Sequence, residues 1–117
     1  MKKRVKEKWI AALKSNRYKQ SDCALRSPRG FCCLGVLCDL YIKEMREKGK
    51  VYSWKDKIRE KGCYEFKDND GYLPYEVQDW AGLETADIRI TDHKTLSNLN
   101  DSGTSFKELA KIIKEYL

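Results

Sequence analysis

The stretch Gly30-Phe31-Cys32-Cys33-Leu34-Gly35-Val36-Leu37-Cys38-Asp39-Leu40 holds three of the chain's five cysteines. Leu34, Leu37, Cys38, Tyr41, Ile42 and Met45 recur at spacings of three and four, the period of a helix face. Cys33 and Gly35 extend the apolar surface at its start. The pattern predicts a helix from Cys32 or Cys33 to about Lys48, with Gly49 as its stop. A helix apolar over so much of its circumference belongs at the centre of a domain, so the other elements are expected to pack around it.

To its N-terminal side, Val5, Trp9, Ala12 and Leu13, with Ile10 beside them, mark one apolar stripe of a helix from about Lys3 to Ser15. A polar stretch follows, in which Ala24-Leu25-Arg26 suits a short strand and Ser27-Pro28-Arg29-Gly30 a turn. To the C-terminal side, residues 50–62 read as a basic linker, holding a strand or a loop, anchored by Val51, Tyr52, Trp54 and Ile58. Cys63 to Phe66 alternates in polarity, and Asp70-Gly71 before Tyr72-Leu73 signals a hairpin. Pro74 opens a short helix at its first position, with Val77, Trp80 and Ala81 inward and Gly82 as a left-handed cap. Ile88 to Thr91 suits a strand, and Leu96 and Leu99 sit on a helical turn. A last helix starts at Thr104 or Ser105, where Ser105 and Glu108 have capping-box spacing. Phe106, Leu109, Ala110, Ile113 and Leu117 form its stripe. Three main helices, one short helix and a small antiparallel sheet or hairpin give an α+β single domain over residues 1–117; a mostly helical domain with a β-hairpin is the alternative.

The chain has 117 residues, 41% hydrophobic and 36% charged, enough for one modest core under a charged surface. No apolar run approaches the roughly 18 residues of a membrane span. The apolar segment Trp9 to Leu13 is shorter than the roughly 7–15 residues a secretory signal requires, so a cytoplasmic protein with reduced thiols is expected. An odd cysteine count also argues against a disulfide framework. The net charge of +6 is uneven: residues 1–20 carry eight Lys or Arg against Glu7, whereas residues 63–101 carry nine acidic and three basic side chains. A basic N-terminal helix invites anionic partners, and Lys2, Lys3, Arg4, Lys6, Lys8, Lys14, Arg17 and Lys19 suffice for contacts to nucleic-acid phosphates, although no recognition motif accompanies them.

Structural zinc needs two closely spaced ligand pairs in a loop able to fold round the ion. Four residues separate Cys33 from Cys38 and five separate Cys32 from it, all on a predicted helix. Cys63 stands alone and His93 is the one histidine, so no metal and no cofactor is expected. A nucleophile is a separate matter. A thiol at a helix start is depressed in pKa by the helix dipole, which makes Cys32 the catalytic candidate and His93 its base, with Asp92, Asn98, Asn100 or Asp101 to orient it. Against this stands the tendency of free cysteine to pack as a small buried hydrophobe, the reading that Cys33 and Cys38 favour.

Four segments taken together, Lys8 to Ser15 (KWIAALKS), Gly30 to Leu40 (GFCCLGVLCDL), Leu73 to Leu83 (LPYEVQDWAGL) and Leu96 to Phe106 (LSNLNDSGTSF), resemble a widespread family of small phage- and prophage-encoded proteins. The resemblance spans nearly the whole chain except residues 43–72. It implies no particular activity, but it does imply a setting: the cytoplasm of an infected host, where small accessory phage proteins interfere with defence by binding a protein, occupying nucleic acid or sequestering a signalling nucleotide. In that setting the polar turn Asn98 to Ser105, feeding a helix start, suits an anionic small molecule. Asn98, Asn100, Asp101 and Ser102 are the residues to read a base or ribose, Arg26 and Arg29 to hold phosphate, and Trp80, Tyr72 or Tyr75 to stack. The same residue types are also ordinary turn formers and caps. The expected partners are therefore an anionic small molecule or a host protein, with nucleic acid through the N-terminal helix or a second copy of the chain as alternatives, and no membrane.

Overall fold

The computed structural model describes residues 1–56 and 63–117. Among the described residues there are five helices: α1 (Lys3–Lys14), α2 (Cys33–Glu47), α3 (Tyr75–Ala81), α4 (Leu96–Asp101) and α5 (Phe106–Tyr116). The strands are short: β1 (Arg26–Ser27), β2 (Gly30–Phe31), β3 (Lys55–Asp56), β4 (Tyr64–Glu65), β5 (Arg89–Thr91) and β6 (Lys94–Thr95). One antiparallel sheet runs β2-β1-β4-β3, and β5 and β6 make a separate hairpin. The fold is α+β, and the Cα radius of gyration of 13.2 Å is that of a chain of this size packed about one core.

Helix α2 occupies the centre, as its periodicity requires: Cys33 to Cys38 are all buried, and α1, α3 and α4 all pack on it. Val5, Trp9 and Leu13 bring the stripe of α1 inward, and the Trp9 indole N–H donates to the Cys33 carbonyl at 3.0 Å, fixing α1 to the start of α2. Helix α5 lays Phe106, Leu109, Ala110 and Ile113 into the same core, and Ser105 Oγ accepts from the Glu108 N–H at 3.2 Å as its N-cap. Two glycines permit close approaches. A Cβ on Gly35 would lie 1.8 Å from the Leu25 carbonyl oxygen, so only glycine lets the loop before β1 rest on α2. Gly82 caps α3 at φ 71° with the Lys2 backbone against it, and the Lys2 N–H donates to the Ala81 carbonyl at 2.8 Å.

Several local expectations are corrected. The strand 64–65 does not pair with residues 72–73 across Asp70-Gly71. Its turn is Lys67-Asp68, both at positive φ (49° and 67°), closed by reciprocal backbone bonds between Phe66 and Asn69, the geometry of a type I′ turn. Leu73 instead donates its N–H to the Ala86 carbonyl and is buried, which draws that segment away from the sheet. Strands β2 and β6, absent from the sequence reading, close hairpins on β1 and β5. Pro74 is the N-cap of α3 rather than its first residue. Val51 is no anchor at 79% exposure, whereas Tyr52 and Trp54 join Tyr41 and Phe66 in an aromatic cluster. Ile58 lies outside the described residues. No helix among the described residues is long and apolar enough to cross a membrane.

Candidate functional site

Helix α4 starts on Thr95, whose Oγ1 accepts from the Asn98 N–H at 3.2 Å, and ends before Gly103, at φ 104°. This short helix fixes two neighbouring side chains with opposite fates. Asn100 is buried and its amide is saturated. Its Oδ1 accepts from Gln20 Nε2 (3.0 Å) and from the Cys33 N–H (3.2 Å), and its Nδ2 donates to the Ser21 carbonyl (2.9 Å) and to Asp101 Oδ1 (3.2 Å). Gln20 extends the network, donating to the Thr104 carbonyl and accepting from the Phe106 N–H at 2.9 Å. One asparagine therefore joins the loop after α1, the start of α2, the end of α4 and the start of α5. Its role is structural, and it has no group left for a ligand.

Asp101 is exposed. Its Oδ1 accepts from the Cys23 N–H (3.2 Å) and from Asn100, while no described residue donates to Oδ2. Two hollows adjoin it. The first, about 370 Å³, has Ser21, Asp22, Arg29 and Gly103 in its walls; the second, about 210 Å³, has Cys23, Tyr72, Ser97 and Asn98. The Leu25 N–H donates to the Asp70 carbonyl at 2.6 Å, which brings Gly71 and Tyr72 to the second hollow. The Arg29 guanidinium forms no ion pair among the described residues, and the Tyr72 ring is 56% exposed. A free guanidinium, two carboxylates and an exposed ring thus lie along one divided concavity.

Of the residues singled out from sequence, Arg29, Tyr72, Asn98 and Asp101 line this concavity, Asn100 braces the wall of the first hollow, and the largely buried Cys32 touches the second. Ser102 is exposed outside both hollows, with its Oγ donating to the Leu99 carbonyl at 3.2 Å. Arg26 is engaged elsewhere: its guanidinium lies 4.7 Å from the Tyr64 ring centroid, 5.1 Å from Phe31 and 5.9 Å from Trp54, an internal cation–aromatic contact formed because β1 pairs Arg26 with both Phe31 and Tyr64. Trp80 packs on Tyr41 and donates its indole N–H to Glu44, away from the divided concavity.

The Cys32–His93 pairing has no geometric support. Cys32 is the N-cap of α2, its Sγ accepting from the Gly35 N–H at 3.4 Å. It is buried, and burial pushes its thiol up to about 11, outweighing the two backbone N–H groups at the helix start. The helix dipole argument is defeated by desolvation. His93 sits exposed at the tip of the β5–β6 hairpin, bonded through its backbone N–H to Thr91, and lines neither hollow. Cys33 and Cys38 are fully buried and raised well above the ordinary thiol range for the same reason. Among the described residues no cluster of three or more His, Cys, Asp or Glu is arranged to hold a metal ion.

Sequence reading did not single out Glu44. It is buried in α2 and collects Arg4, Lys8 (3.0 Å), Lys48 (3.7 Å) and the Trp80 indole (2.5 Å). The hydrogen bond from Arg4, with help from Trp80 and Lys8 and against the cost of burial, holds its carboxyl down to about 2. A signal was present: Leu37, Tyr41 and Glu44 follow one helical face, so a carboxylate stands where an apolar residue is expected, opposite a basic helix. Arg4 and Lys8 are therefore paired with a buried carboxylate, although both remain about half exposed, so part of their charge is already balanced within the chain. Lys3, Lys6 and Lys14, with Lys114, line a separate groove of about 560 Å³ between α1 and α5, floored by Ile10 and Ala11.

The whole chain, residues 1–117, matches the family described as Domain of unknown function (DUF8296), and it belongs to that family. No curated protein and no solved structure matches it.

Proposed function

We propose that this member of DUF8296 is a non-enzymatic binding protein that holds a small nucleotide in the divided concavity about Asp101. The observation that carries the reading is the set of exposed groups along it: the Arg29 guanidinium, which forms no ion pair among the described residues, the Asp22 carboxylate, the second oxygen of Asp101 and the Tyr72 ring. A nucleotide offers their complements together, with phosphate for the planar fork of Arg29, sugar hydroxyls for the carboxylates and a base face for Tyr72. A simple inorganic anion is a poorer fit, because two carboxylates would repel it. The resemblance to small phage proteins supplies the setting: sequestration of a host signalling nucleotide, in the host cytoplasm, by an accessory protein directed against defence. Cys32 touches the second hollow but is only 4% exposed, and burial pushes its thiol up to about 11, which weighs against the hydrolase alternative.

The experiment is calorimetric titration of the purified chain with a panel of cyclic and adenosine-containing dinucleotides, repeated on Arg29→Ala and Tyr72→Ala. Both side chains are exposed, so neither change should alter the melting temperature, and each should weaken binding about tenfold or more. Absence of heat and of thermal shift across the panel, or equal affinity in both variants, overturns the proposal.

A second reading rests on the groove between α1 and α5, where four lysines face a single carboxylate, Glu7. It is a site for nucleic-acid phosphates or an acidic surface of a host protein. Binding to a short duplex that weakens steeply between 50 and 200 mM salt, as counterion release requires, and that is lost in Lys6→Gln/Lys14→Gln, supports the nucleic-acid form.

A further inference from the structure

Tyr41, Met45, Tyr75, Glu76, Asp79 and Trp80 line a hollow of about 340 Å³ between α2 and α3. Three of these side chains are aromatic, two are carboxylates, and none is a lysine or arginine. The Tyr41 and Trp80 rings meet at 72° with centroids 5.3 Å apart, forming a corner, and the Tyr75 ring is 75% exposed with no ring partner among the described residues. Glu76 and Asp79 are exposed and form no ion pair among the described residues. The cations gathered on Glu44, which also accepts from the Trp80 indole, are Arg4, Lys8 and Lys48, and none of them lines the hollow.

Aromatic faces are electron-rich and attract organic cations, and adjacent carboxylates add a formal negative charge. The protein already satisfies this chemistry internally: Arg26 lies over Phe31, Tyr64 and Trp54, Lys67 lies 4.1 Å from the Tyr52 centroid, and Lys43 lies 5.0 Å from Tyr18. The Tyr41–Tyr75–Trp80 hollow repeats the arrangement of rings, adds two carboxylates and contains no cation of its own.

We infer that this hollow receives an arginine side chain of a partner protein, its guanidinium lying against the ring corner and its N–H fork on Glu76 and Asp79. Arginine fits better than lysine because the planar guanidinium stacks on rings and bonds carboxylates in pairs, as a compact ammonium does not. The inference is independent of the concavity about Asp101, with which the hollow shares no residue.

The test is a titration with the peptide acetyl-Gly-Arg-Gly-amide followed by ¹H–¹⁵N NMR at the Trp80 indole N–H, assigned through Trp80→Phe. The expected result is a saturable shift of that resonance with the Trp9 indole unmoved, and a weakening of about fivefold or more in Tyr75→Ala and in Glu76→Gln/Asp79→Asn. These variants change exposed side chains, and their far-UV circular dichroism should match the parent. A stationary Trp80 resonance, equal binding of the glutamine peptide, or equal affinity in the variants overturns the inference. Tighter binding of free spermidine than of the arginine peptide also overturns it, by assigning the hollow to a free polyamine.

Discussion

Asn100 and Glu44 are the buried polar side chains of the described core, and they solve the problem of burial in opposite ways. Asn100 is neutral, and most of its partners are fixed: the Cys33 N–H, the Ser21 carbonyl and a glutamine that is itself tied to backbone at Thr104 and Phe106. Glu44 is charged, and its partners are side chains, three of them cations that are themselves more than 45% exposed. The first junction ties together segments that also pack on one another, and its bonds to Cys33, Ser21 and Gln20 are between neutral groups. The second neutralises part of a basic helix and depends on acid and salt. A neutral amide can therefore brace a candidate site without colouring its electrostatics, whereas the carboxylate defines how much of α1's charge is left for partners.

The most direct way to break this contrast is Asn100→Ala. It leaves the Cys33 N–H, the Ser21 carbonyl and the Gln20 amide without their partner, and the expected loss is about 3 kcal/mol in urea denaturation, equal at low and high salt. A loss below about 1 kcal/mol would show that the junction is ornamental. Glu44→Gln ranks second, with an expected loss of about 1.5 kcal/mol at neutral pH. Its pH dependence sharpens the comparison. Glu44 binds its proton more weakly folded than unfolded, so it stabilises the fold above the usual carboxylate range, and that contribution disappears as the pH falls through about 2. The gap between parent and Glu44→Gln should accordingly close from about pH 4.5 downward, while the gap for Asn100→Ala should change less, since Asn100 makes only one of its four bonds to a carboxylate. The smallest perturbation is thiol labelling of the native protein. Cys23 is exposed and should react first, slowed because Asp22 and then Asp101 raise its thiol above the ordinary range. Cys32, Cys33 and Cys38 should react only on unfolding, and rapid native labelling of Cys32 would reopen its candidacy as a nucleophile.

The helices were legible because their signals are local and repeated. Val5, Trp9 and Leu13, or Leu34, Leu37 and Tyr41, carry burial at a fixed period, and Ser105 and Gly82 mark ends by chemistry that acts within a few residues. The strands were poorly legible because each is two or three residues long, too short for an alternation to register, and because Lys67-Asp68 adopts a turn usually signalled by Asn or Gly. At the candidate site, Arg29, Tyr72, Asn98 and Asp101 were found from their types alone. Asn100 was found with the wrong role, since an amide that reads a ligand and one that reads four segments of its own chain look alike in sequence. Arg26 and Trp80 failed for a related reason: their partners, Tyr64 and Glu44, lie about 36 or more residues away and come from cross-strand pairing and helix packing. Gln20, Ser21 and Asp22 were missed because nothing near them in sequence says that α4 will arrive beside them.

The contact between Gly35 and the Leu25 carbonyl has a consequence for motion. With no space for a side chain between them, the loop before β1 lies directly on α2, and the Cys32 N–H donating to the Leu25 carbonyl at 3.1 Å holds it there. The Leu25, Cys32 and Cys33 amides, which donate to Asp70, to Leu25 and to Asn100, are then released together or not at all, and their hydrogen exchange should follow a single opening event. Loop residue 23 and the segment before Tyr72 are thus tied to the helices, through Cys23 to Asp101 and through Asp70 and Leu25 to Cys32, and the fewer of these walls a ligand about Asp101 must order, the less of its binding energy is spent on ordering.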